Sequence, residues 1–168
     1  AIFDKSIQEL GNHPILGQMA SFRNNNFVIS ENARSLAINA YIAHGGRVPA
    51  LVVTTTEEES KQIVRDLTKS LKQDEVALFP SWETLPFERV SPTIETMGRR
   101  SEVLWRMRNG ISPKVVVATA RSVSQILTST SYPSPIRLIQ GKTIDYDTLL
   151  TTLFEYGYHR TSQVERRG

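Results

Sequence analysis

Two periodicities alternate along this chain. "VPALVVTT", Val48 to Thr55, is β-branched and almost continuously apolar, the pattern of a strand buried on both faces of a parallel sheet. The spacing then turns helical in "TEEESKQIVRDLTKSLKQ", where Ile63, Val64, Leu67 and Leu71 share one face. Thr56 and Glu59 stand at capping-box spacing, acids fill the first turn and lysines the end. The run Glu57 to Glu59 therefore reads as favourable charge at a helix N-terminus rather than as a metal cluster.

The same alternation recurs. Phe27 to Ile29 predicts a short strand, followed by a helix that Ser30 can cap and that ends at Gly45 and Gly46. Val76 to Phe79 and Lys114 to Ala120 predict further strands. Between them, Ile94, Met97, Leu104 and Met107 recur at helical spacing, and a helix from Ala120 to Leu127 follows the last strand. Upstream, Phe3, Ile7 and Leu10 mark a peripheral helix stopped by Gly11 and Pro14. Alternating β and α units with right-handed crossovers imply an α/β domain, a parallel sheet with helices on both faces.

At "STSYPSPIR" the composition shifts to Ser and Pro, which places a boundary near Pro133. Two pieces are expected, residues 1–133 and 134–168. In the second, "IRLI" suggests a strand and "DYDTLLTTLFEYGY" a helix capped near Asp145, with Leu149, Leu150, Leu153 and Phe154 as its apolar face and Gly157 as its stop. So short a piece cannot bury a core alone. It is expected either to pack on the first domain or to be the start of a small α+β domain, truncated here, and the second is favoured.

Composition narrows the chemistry. There is no cysteine, hence no disulfide, thiolate metal site or cysteine nucleophile. No segment approaches the roughly 18 apolar residues of a membrane helix, and the N-terminus lacks a basic and then apolar leader. No membrane contact and a cytoplasmic location are expected. His13, His44 and His159 are isolated, so no metal site is expected. No Ser/His/Asp arrangement or paired-carboxylate site emerges, and no catalytic residue is assigned. The net charge of +3 and pI near 9.3 permit contact with nucleic acid or an acidic protein surface without requiring either.

The strand, turn and helix from Asn26 to Gly46 have the outline of a phosphate-binding element without its chemistry. A working P-loop needs glycines to expose backbone N–H groups, a lysine for the β and γ phosphates, and a hydroxyl for Mg²⁺. The turn here is Ser30, Glu31, Asn32, Ala33, Arg34, Ser35. It has no glycine and no lysine, and Glu31 places negative charge where phosphates would lie. Arg34 is free by sequence either to offset that charge or to pair with Glu31.

The segment "FPSWETLPFERVSP" carries a family resemblance. Phe79, Pro80, Trp82, Glu83, Thr84, Leu85, Pro86, Glu88, Arg89, Ser91 and Pro92 are followed by Gly98, Arg99 and Arg100, by Leu104, Trp105 and Arg106, and by Val115 to Ala118 with Arg121 and Ser122. This succession resembles the N-terminal, UvrB-like module of the bacterial transcription-repair coupling factor family (Mfd), from about Asn26 to the last residue. The resemblance implies a degenerate P-loop NTPase-like fold, similar to domain 1a of UvrB, that has lost its loop.

It also implies a non-catalytic interaction module. In the family the whole protein displaces RNA polymerase stalled at DNA lesions and recruits the excision-repair protein UvrA, while ATP and Mg²⁺ serve a DNA-translocating motor far downstream. No cofactor is then expected in this chain. UvrA contacts would lie largely on the second domain past Gly168, with Arg160, Arg166 and Arg167 as the candidate partner-binding residues within it; RNA polymerase and DNA would meet other domains.

The alternative reading is weak nonspecific DNA binding through Arg99, Arg100, Arg106 and Arg108, with a Kd of roughly 10⁻⁴ to 10⁻⁶ M. Against it stands an exposed helix face whose arginines pair with Glu95 and Glu102. Trp82 and Trp105 are expected to be packing residues, and Pro80, Pro86 and Pro92 to stiffen a surface connector.

Overall fold

The computed structural model describes residues 14, 19, 24, 26–83, 92–125, 127 and 136–163. The chain divides into two compact units, Ala1–Ile126 and Leu127–Gly168. The expected boundary at Pro133 and the expected helix over residues 3–10 fall outside the described residues.

In the first unit, helix α1 (Arg34–Ala43) precedes strand β1 (Ala50–Thr54), helix α2 (Glu57–Leu67), strand β2 (Val76–Phe79), helix α3 (Ile94–Arg108), strand β3 (Val115–Thr119) and the short helix α4 (Ala120–Ser124). The three strands form one parallel sheet in the order β1-β3-β2. All five residues of the central strand are buried.

Alternation along the strands sorts the core into two clusters. On one face Val76, Val115 and Val117 pack with Ile63 and Leu67 of α2, and Ile38 and Ile42 of α1 lie against them. On the other, Ala77, Phe79, Val116 and Ala118 meet Val103 of α3. Leu67 is fully buried, a burial that stabilises the fold by about 1.5–3 kcal/mol.

Helix boundaries follow the local chemistry. Thr56 caps α2 by accepting from the Glu59 amide at 3.2 Å. The reciprocal bond of a capping box slips by one residue: the Glu59 carboxylate accepts from Thr55, amide at 3.2 Å and hydroxyl at 3.1 Å, and not from the Thr56 amide. Thr93 caps α3 and Thr119 caps α4 in the same manner. Gly45, just past α1, has φ +84°, a conformation that L side chains rarely adopt.

Several expectations are corrected. Phe27 to Ile29 forms no strand; Val28 is fully exposed and Phe27 is exposed too, so a three-residue run has no buried face to fix it in the sheet. β1 is not buried on both faces: Leu51 and Val53 share the α3 side of the sheet with Val116 and Ala118 but remain 59% and 50% exposed. The last helix of the first unit ends at Ser124 rather than Leu127.

In the second unit, helix α5 (Tyr146–Glu155) begins as expected at Asp145, whose carboxylate accepts from the Thr148 amide at 3.0 Å. Bonds from the Thr148 hydroxyl and then from its amide hold the Asp145 carboxyl below its usual range. The helix stops at Gly157, where φ is +83° and the Tyr158 amide reaches back to the Leu153 carbonyl at 3.0 Å. Leu149, Leu150 and Leu153 are half-buried, whereas Phe154, expected on the same face, is exposed. "IRLI" forms no strand. No helix among the described residues is long and apolar enough to cross a membrane.

Candidate functional site

The turn of residues 30–35 comprises an extended Ser30, a single 3-10 turn over Glu31–Ala33 and the start of α1 at Arg34. Ser30 makes no side-chain cap bond. The alternatives for Arg34 resolve toward a third residue: its guanidinium donates to the carboxylate of Glu59 on α2, and Glu31 stands further off at 3.9 Å. These side chains line an open groove of about 440 Å³ with Ile29, Ile38 and Val52.

The charge of that groove decides what it suits. Two carboxylates face one guanidinium, and the Glu59 bonds to Thr55 hold its carboxylate in place. A phosphate there would meet a cation already paired. Each uncompensated carboxylate about 4 Å away would cost roughly 4 kcal/mol at a near-surface dielectric. The arrangement favours cationic over anionic groups.

The segment that carries the family resemblance is built around Arg100. Expected on an exposed helix face, Arg100 is instead 2% exposed. Its guanidinium lies 4.2 Å from the centroid of the Phe79 ring and 4.4 Å from that of Trp82, and it donates to the Pro80 carbonyl at 2.6 Å and to Gln125 Oε1 at 3.3 Å. The same oxygen accepts from the Trp82 amide at 2.9 Å. A buried guanidinium is tolerable when aromatic faces and carbonyl dipoles replace its water.

Glu83 extends this assembly. Its carboxylate accepts from the hydroxyl of Thr96 at 3.0 Å and from the amide and hydroxyl of Thr93, each at 3.2 Å, placing negative charge at the N-terminus of α3. These bonds, that of Thr96 foremost, hold the Glu83 carboxyl below its ordinary value. Thus Trp82 is a packing residue, as expected, and its neighbour is a helix cap. Pro86 and the rest of the motif through Ser91 lie outside the described residues.

The other arginines of α3 divide. Arg106 keeps only 14% of its side chain exposed, pairs with Glu102 at 4.0 Å and donates to the carbonyls of Asp74 and Ile111. Arg99 is exposed beside a cleft of about 160 Å³ that also contains Lys61 and the acids Glu57, Glu83 and Glu95. Arg108 is exposed at the far end of the helix. The four therefore do not form one basic stripe, because two are turned inward by packing that a charge pattern does not report.

Of the partner-binding candidates, Arg160 is exposed in the second unit, and Arg166 and Arg167 lie outside the described residues. His44 and His159 are exposed, and His13 is likewise outside. No group of three or more metal-ligating side chains occurs among the described residues. Sequence reasoning missed Gln125 altogether; a lone glutamine after a short helix carries no pattern.

No protein-family profile matches the chain. Among curated proteins it is 37% identical over 144 residues to the transcription-repair-coupling factors of Mycobacterium bovis and Mycobacterium tuberculosis, covering 82% of this chain and 11% of each relative. It is 30% identical over 142 residues to the Bacillus subtilis protein of the same name, covering 83% of the chain and 12% of that relative. The chain thus spans about a ninth of the length of these relatives. The succession of residues around Phe79 to Arg100 and this identity across several bacteria agree: the chain belongs to the transcription-repair-coupling factor family.

Proposed function

We propose that this chain acts as a non-catalytic, UvrB-like interaction module within a transcription-repair coupling factor, in which the complete protein displaces RNA polymerase stalled at DNA lesions and recruits UvrA. The supporting observation is the Arg34–Glu59 ion pair in the turn of residues 30–35. A degenerate phosphate loop that has exchanged nucleotide chemistry for an internal ion pair fits a module retained for its surface. ATP and Mg²⁺ belong to a motor elsewhere in the parent protein, RNA polymerase and DNA to other domains, and the setting is cytoplasmic.

UvrA would engage mainly the second unit and the sequence that follows it in the parent, with Arg160, Arg166 and Arg167 at the near margin. Arginine suits that role because its planar fork pairs bidentately with carboxylates. Surface plasmon resonance with immobilised UvrA tests the proposal, comparing this chain with one extended through the whole second domain. Binding by the longer chain, alone or together with the shorter, supports the recruitment role; the absence of binding by both contradicts it.

A further inference from the structure

Helix α4 is only five residues long, and the backbone becomes extended at Gln125, with φ −74° and ψ 135°. An isolated helix of that length has no stability of its own, so its ends must be held. At the N-terminal end the Ser122 amide donates to the Thr119 hydroxyl at 3.0 Å, and Ser122 is fully buried. At the C-terminal end the holding group is the Gln125 side chain.

One oxygen atom joins three parts of the first unit there. Gln125 Oε1 accepts from the amide of Trp82, on the segment leaving β2, and from the guanidinium of Arg100, in the middle of α3. Both partners are donors, so the amide oxygen must face them. Arg100 is in turn held between the Phe79 and Trp82 rings and by the Pro80 carbonyl. The first unit ends at Ile126, the next residue.

We infer that Gln125 is a positioning residue that pins the exit of the chain from the first unit, with Arg100 and Trp82 as the fixed points to which it is tied. The pin fixes residue 125 against the segment leaving β2 and against α3. It works through a side chain because an extended residue after a helix has no helical bond left to hold it. Leucine at this position would take the acceptor from the Trp82 amide and one acceptor from the charged Arg100 guanidinium; glutamate would keep an acceptor for both.

Hydrogen–deuterium exchange of the intact chain, read by NMR, tests the pin. In Gln125→Leu the amides of Trp82 and residues 121–125 are expected to exchange about tenfold faster or more, as the loss of a neutral and a charge-assisted bond implies, while the amides of β3 keep their rates. Gln125→Glu should stay within about twofold of the unaltered chain at neutral pH. Unchanged rates at Trp82 and 121–125 in Gln125→Leu would overturn the inference, and so would an equal acceleration of every amide including β3, which marks a general loss of stability. The unaltered chain supplies a check if the variant does not fold: a Trp82 amide protected to the same degree as those of 121–125 supports the pin, and one exchanging at a free-peptide rate rules it out.

Discussion

Arg34 and Arg100 are both helical arginines of the first unit, and their surroundings differ in kind. Arg34 stays partly solvated and is balanced by carboxylates on α2 and in its own turn. Arg100 is withdrawn from water and held by two aromatic faces, a backbone carbonyl and a side-chain amide oxygen. The first environment keeps the cation near the surface beside acids; the second makes it a piece of the core. A basic residue in this module is therefore evidence of a nucleic-acid surface only after its burial and partners are known.

Substitutions should separate the two environments by size of effect. Arg100→Ala removes charge-assisted bonds and cation–π contacts from a buried position and empties its volume, an expected loss of about 3 kcal/mol or more. It should appear as a lower urea midpoint at an unchanged slope. An effect under about 1 kcal/mol would mean that the guanidinium is not part of the core. Next, Thr93→Ala deletes the cap of α3 and should cost about 1 kcal/mol in the same titration. Arg34→Ala should cost only about 0.5 kcal/mol, since the pair is partly exposed and screened, and raising the salt concentration should shrink that difference further.

The smallest effect sharpens the comparison by pH. The carboxyl of Glu83 is held below its ordinary value of 4.5 by its bonds to Thr96 and Thr93. A depressed carboxylate contributes stability that is complete above its unfolded value and is lost as the pH falls through the folded one. The gap in melting temperature between the unaltered chain and Glu83→Gln should therefore be largest near neutrality and close as the pH drops below 4.5. A gap that widens in acid would contradict the cap assignment.

The hydrophobic pattern made the buried strands and the helices legible, because burial leaves a period in the sequence. Lys114 to Ala120 read as a strand, and Thr56 and Asp145 marked helix starts through their own hydroxyl or carboxylate oxygens. What stayed illegible depends on contacts distant in sequence. Phe27 to Ile29 has the composition of a strand and lacks a paired neighbour. The exposure of Leu51 and Val53 depends on what covers one face at the sheet edge. Arg100 meets Phe79, Trp82 and Gln125 across 18 to 25 residues of chain. No local spacing distinguishes it from its exposed neighbour Arg99.

The turn at residues 30–35 carries the most weight, since a module with an internally paired arginine at that place should not respond to nucleotide. Thermal unfolding in the presence and absence of Mg-ATP measures this directly. The account predicts an unchanged melting temperature. A rise of about 5–10 °C, the shift that saturating a site at a hundred times its Kd would produce in a chain of this size, would contradict it and return the turn to the phosphate-binding loops.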